Sequence, residues 1–409
     1  VGAMAWPGGA PGPLPGGPAP EEDEEEIELT PAVQMLLETS RYIAEKIASK
    51  ILGFREEYTS DEGLSRQLGS LPRGRLGEAQ PEPGVAIDST FPIDGGVELV
   101  GGRLIAVVAG YVSFGGLAAR GVRRHDVYAQ ARFVDTEDTQ RILPLYAKLV
   151  EKAVAHRVLG YVEDGSMNAR VILFDGELVP YPLLFKSQKT VARSRLLVRL
   201  DEQVARLLER ARSLRLTLVG VVKRSYSRLL GARLGRRLSI NDKALMSLLL
   251  SRGEYLVAGQ FQEILPRYAE IVAAEKGLDP GKYRSIVEER LGLRSEYGRV
   301  TVAFYKPSLP RPGLQAVRVE VLDYGGLGLK KLLSMLNTLT NPATGLPYPI
   351  DLVDEYTRLE SRMLELLRRR IISHLAEMLE EVGGTRALVL LSHTNPEKRY
   401  VYEPRRRRG

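Results

Sequence analysis

Cysteine is absent from the 409 residues, and only four histidines and one tryptophan are present. Without cysteine there is neither a disulfide-built scaffold nor a thiolate zinc site. With histidines so few and scattered, a bound metal must be held mainly by carboxylate oxygens, which favours magnesium or manganese. No run of 18 or more apolar residues occurs, and the first thirty residues lack the basic start and apolar stretch of a signal peptide. The expected class is therefore a soluble cytoplasmic protein with no membrane partner. The sequence also lacks a G-x-x-x-x-G-K-[ST] segment, which excludes a P-loop motor, so any ATP used must be hydrolysed by a partner.

A hydrophobic content of 44% can build a large α/β core. Abundant Arg, Glu and Leu suit a heat-stable protein. Residues 1–30 hold seven acids and no Lys or Arg, so the net charge of +7 becomes +14 over the rest of the chain. A body this basic suits a polyanion such as nucleic acid, although a solubilising surface would look the same.

Gly, Pro and Ala fill residues 1–20, and with the acidic run after them 1–30 reads as disordered. Met35, Leu36, Tyr42, Ile43, Ile47, Ile51 and Phe54 recur at helical spacing and predict an amphipathic helix to about residue 57. Polar, Gly- and Pro-rich residues 60–83 read as a linker, so 31–84 is a helix plus linker ahead of a main domain over 85–400.

In that domain the strand-like runs 85–88, 103–113 and 126–134 are joined by short turns and predict an antiparallel meander. A helix over about 139–163 leads to a strand at 171–175. A second helix near 201–213 leads to a strand at 216–223. Three antiparallel strands followed by helix, strand, helix, strand is the order of an RNase H-like mixed sheet flanked by helices. A helix-rich insertion is expected at about 240–295, then strands at 300–305 and 316–322. The pattern continues with a long helix from about 350 to 381, a last strand at 387–391 and a basic tail over 401–409 with Arg405–Arg408.

Asp88 closes the apolar run Val85-Ala86-Ile87, and Asp175 closes Val171-Ile172-Leu173-Phe174. Carboxylates on rigid strand ends lie where α/β sheets bind ligands, and two that converge repel each other unless a cation neutralises them. Each is also an ordinary turn former. Phosphodiester hydrolysis is served by two metal ions held by three or four carboxylates. A third acid is expected from the helix before Asp175. The strand 171–175 covers roughly 16 Å, and an antiparallel helix needs about eleven residues to climb back. Glu151, twelve residues before Glu163, is then level with Asp175, and Glu163 lies at the far edge; a solvated helix charge is the competing reading for Glu151. Lys223, Arg224, Ser225 and Ser227 follow a strand and offer two cations and two hydroxyls as a phosphate grip for DNA, or simply a solvated strand end. Tyr348 is a candidate to stack near the metals, or a packing corner.

In order along the chain stand Ala86-Ile87-Asp88-Ser89-Thr90, Leu173-Phe174-Asp175-Gly176-Glu177-Leu178, Gly220-Val221-Val222-Lys223-Arg224-Ser225, Ile240-Asn241-Asp242 and Gly345-Leu346-Pro347-Tyr348-Pro349. Over about residues 35–395 this series resembles the NurA nuclease family. The resemblance implies a manganese- or magnesium-dependent nuclease acting on single-stranded DNA and DNA ends. It implies a homodimer that works with the hexameric ATPase HerA in 5'-3' end resection during double-strand break repair. It also implies that Asp88, Asp175 and Glu151 match the family's metal ligands. Two departures stand out: Glu177 replaces a usual small residue, and a histidine expected near the start of the last helix is missing, where Asp351 and Asp354 stand instead. Asp354 is the candidate fourth ligand, with Asp351 as its alternative. Competing readings are a catalytically impaired relative that binds DNA or the ATPase, and an RNase H-like nuclease of another class.

Overall fold

A computed structural model describes residues 31–92, 96–99, 102–116, 122–134, 139–223 and 225–392. The described residues divide into two units, with the boundary between Glu56 and Glu57. The predicted first helix runs from Pro31 to Ser60. Among the described residues the second unit holds ten strands: β1 (Arg73–Arg75), β2 (Gly84–Thr90), β3 (Val97–Leu99), β4 (Gly102–Phe114), β5 (His125–Val134), β6 (Val171–Asp175), β7 (Thr217–Val222), β8 (Glu254–Gln260), β9 (Thr301–Tyr305) and β10 (Val317–Asp323).

They form one mixed sheet in the order β1-β8-β9-β10-β7-β6-β2-β4-β3, with β5 also on β4. The meander pairs antiparallel, β2 with β4 and β4 with β5. β6 and β7 then add parallel to β2 after helical crossovers. The resulting order β5-β4-β2-β6-β7 is the RNase H-like core, extended beyond β7 by the antiparallel β10, β9, β8 and β1. Continuous Val/Ile/Leu runs make β6 and β7 buried on both faces, as parallel strands covered by helices require.

On one face Ala86, Leu173, Val219, Val221 and Val319 pack against Leu332, Leu336, Ile350 and Val353, from the helices Leu329–Thr338 and Tyr348–Thr357. The helix Thr139–Glu163 packs on β2 and β4 and against the helix Arg195–Ser213. No helix among the described residues is long and apolar enough to cross a membrane.

Three sequence readings are corrected. Residues 60–83 are not a plain linker: Glu62–Gly69 is a helix capped by Asp61, burying Leu64 and Leu68, and β1 extends the sheet. Short amphipathic turns between Gly and Pro carry too little periodicity to stand out. The stretch 240–295 holds the helices Asp242–Leu249, Phe261–Glu275 and Pro280–Leu293, with β8 between the first two. The long helix predicted over 350–381 is broken at residues 358–360 into Tyr348–Thr357 and Ser361–Ser392. The latter helix also takes in 387–391, where β-branched and Leu residues suggested a strand. Residues 1–30 and the tail 401–409 lie outside the described residues.

Candidate metal centre

Because side chains alternate along a strand, Asp88 shares the face of Ala86, and Asp175 that of Leu173. β2 and β6 run parallel with Ile87 beside Phe174, so one residue further on the two aspartates come level. β2 continues to Thr90, which places Asp88 inside the strand rather than at its end as the sequence suggested. The helix Tyr348–Thr357 crosses the same face and brings Asp354. One oxygen from each of Asp88, Asp175 and Asp354 lies within 4.8 Å of the others.

Asp88 is buried, and burial, then the charges of Asp175 and Glu151, push its carboxyl up to about 7. Its Oδ2 accepts a hydrogen bond from Thr357 Oγ1 at 3.1 Å. Burial also raises Asp175, against the pull of Lys223. Lys223, just beyond β7, places Nζ 2.7 Å from Asp175 Oδ2 and 2.9 Å from Asp354 Oδ2. An ammonium thus stands where three acids need positive charge. The site offers only oxygen donors, and an acid as depressed in acidity as Asp88 gains most from a nearby cation, so these residues fit a hard divalent ion.

Glu151 is near this trio but differently held. It comes from the opposite side of the sheet, on the helix Thr139–Glu163, and accepts from Ser89 Oγ at 3.3 Å. Lys148 Nζ lies 2.7 Å from its Oε2, and Lys152 Nζ lies 2.9 Å from its Oε1. Burial would raise Glu151, but the two ammonium groups hold it below the usual carboxylate range. Lys148 Nζ donates as well to the carbonyl of Asp175 at 3.1 Å. Beside it, Gly176 has φ +113°, and a Cβ there would stand 3.1 Å from Lys148 Nζ. The helix register places Glu163 far away on the surface, paired with Arg210 at 2.7 Å.

Asp351 is separated from the trio. Its Oδ2 accepts from Asn341 Nδ2 at 2.7 Å and from Thr344 Oγ1, which ties it to the turn before the helix. The proposed phosphate grip is not assembled as read. Ser227 is buried, and its hydroxyl, with that of Ser225, accepts from Arg318 Nη1 at 2.6 and 3.0 Å. Arg318 in turn reaches Tyr181 and Glu320. A buried guanidinium draws every nearby acceptor inward, so these serines serve the core. Arg224 lies outside the described residues. Tyr348 is exposed in the first turn of its helix.

Three contributors escaped the sequence reading. Lys148 was signalled only by its place one turn before Glu151. Thr357 followed Asp354 by the same spacing, and Arg318 was hidden in a buried strand.

The fold and this acid cluster define an RNase H-like α/β protein with a carboxylate centre on its sheet. The model of the NurA domain matches residues 39–359, and the chain belongs to the NurA family. It is similar to the crystal structure of the NurA nuclease from Sulfolobus solfataricus, with 15% identity and a TM-score of 0.52, covering 86% of this chain and 98% of that one. A second NurA crystal structure aligns with 11% identity and a TM-score of 0.50, covering 81% of this chain and 97% of that one. Among curated protein sequences, none matches.

Proposed function

We propose that this chain is a divalent-metal-dependent deoxyribonuclease. The convergence of Asp88, Asp175 and Asp354 within 4.8 Å carries this reading. Those three carboxylates would hold the metal, manganese or magnesium, as one ion or two. When bound, such ions activate water and offset charge developing on the phosphate oxygens. Thr357 orients Asp88 through its hydrogen bond, and Lys148 joins Glu151 to the Asp175 backbone, keeping the edge of β6 fixed. Lys223 links Asp175 to Asp354, and its single positive charge offsets one of the site's negative charges. Hydrolysis adds water across the P–O bond, with the hydroxide part going to phosphorus and the proton ending on the departing sugar oxygen.

Single-stranded DNA and DNA ends as substrate, the homodimer, partnership with a HerA-type ATPase and a role in end resection belong to the same proposal. They rest on membership of the family. The test is degradation of a labelled single strand with and without manganese, using Asp175→Asn as control. Manganese-dependent loss of substrate that the variant lacks supports the reading. DNA binding without cleavage would favour an impaired relative, for which the ammonium of Lys223 amid the acids is the observation to weigh.

A further inference from the structure

A cleft of about 390 Å³ opens beside the acid cluster, lined by Lys223, Lys243, Arg311, Leu314, Thr344 and Leu346 among others. Among the described residues no carboxylate lines it. Lys223 is spent on Asp175 and Asp354, whereas among the described residues neither Lys243 nor Arg311 has a carboxylate within ion-pairing distance. Lys243 Nζ donates to the carbonyl of Lys223 at 2.7 Å, which leaves it two further N–H groups. Arg311 Nη1 donates to the carbonyls of Pro342 and Ala343, leaving its other guanidinium nitrogens free to face the cleft. Burial disfavours the charged form of Lys243. Two cations placed together without an acid are costly unless an anion completes them. The rest of the lining is mixed: Pro312, Leu314 and Leu346 give apolar surface beside the polar Gln315 and Thr344, and Gly345 has φ +76°.

We propose that this cleft is the subsite for the nucleotide flanking the scissile linkage of a single DNA strand, with its phosphate held by Lys243 and Arg311 and its sugar and base against the apolar part of the lining. The inference rests on the nuclease reading above and names the strand path that the Ser225 and Ser227 hydroxyls do not supply. The volume lies in the range of small-ligand pockets and accommodates one unstacked nucleotide. Contact through charge and apolar surface makes the subsite indifferent to base identity.

The test measures binding of a fluorescent oligothymidylate in EDTA across a salt series, for the wild type, Lys243→Met, Arg311→Gln, the double variant and Arg311→Lys. The double variant should bind at least tenfold more weakly at low salt, and its slope of log affinity against log salt should be smaller by about 1–2. Arg311→Lys, which keeps the charge, should retain the slope. In manganese, KM should rise at least tenfold in the double variant. Because Arg311 also anchors residues 342–343, thermal melts accompany each variant, and Lys243→Met carries the test if Arg311→Gln melts early. An unchanged slope and KM in folded variants of a protein that still cleaves would overturn the subsite alone. A wild type that neither binds nor cleaves the strand would overturn the nuclease reading beneath it.

Discussion

Thr357 Oγ1 donates to Asp88 Oδ2 at 3.1 Å, so the last turn of one helix fixes the orientation of a carboxylate on β2. The same hydroxyl is shared with its own helix through the carbonyl of Val353 at 3.0 Å. Removing a donor to a ligand carboxylate usually costs about tenfold or more in metal affinity. Thr357→Val should therefore raise the manganese concentration for half-maximal cleavage by about tenfold, and Thr357→Ser should restore it. Equal metal dependence in the two variants would make the contact merely structural.

Stability of the metal-free protein should fall as pH rises through the window between the ordinary aspartate value and about 7. Asp88 is pushed up to about 7 in the fold, so over that window the folded chain keeps a proton that the unfolded chain has lost. Asp88→Asn removes this dependence while abolishing cleavage. In EDTA, the melting temperature of the variant relative to wild type should be clearly higher at pH 8 and much less so at pH 5. A constant difference across pH would mean that Asp88 titrates normally.

Asp354 and Asp351 are one helical turn apart and should separate cleanly. Asp354→Ala, which removes an acid of the trio, should raise the manganese requirement at least tenfold with a small effect on stability. Asp351→Ala strips acceptors from Asn341 and Thr344 and should lower stability by about 1 kcal/mol while leaving metal dependence alone. Manganese titrations and melts on both variants decide the assignment, and a flat manganese response to Asp354→Ala would leave two sheet carboxylates as the site.

Glu151→Gln leaves the buried Lys152 and the part-buried Lys148 without their shared counter-charge. A loss on the order of 3–5 kcal/mol is typical when one partner of such a group is removed. Urea unfolding should show a loss of that size, whereas Glu163→Gln, facing solvent beside Arg210, should change stability by less than about 1 kcal/mol. Matching effects of the two substitutions would contradict the helix register.

The core was legible because β2, β4, β6 and β7 are apolar runs joined by short turns or amphipathic helices, while β5 shows as a strand-like run that mixes polar and apolar residues. β1 and β8 were not, since Arg73–Arg75 is three polar residues and Glu254–Gln260 sits among helices. Asp88 and Asp175 were visible because charge at such runs is unusual. The placement of Asp354 beside them depends on a crossing helix 179 residues after Asp175, which no local spacing encodes. Lys223 looked like a hand for phosphate because it follows a strand. Only the folded chain shows that its first partners are Asp175 and Asp354. Ser227 looked available because neither its neighbours nor its type betray a guanidinium that arrives from β10.

Gly176 and Lys148 constrain each other. A side chain at 176 would meet a positive backbone angle and, 3.1 Å away, the lysine nitrogen that ties Glu151 to β6. The small residue after Asp175 is thus set first by its left-handed backbone and only second by the flexible lysine end beside it. Anyone transplanting this acid cluster to another scaffold would have to carry over the turn after β6 with its backbone angle, and not the acids alone.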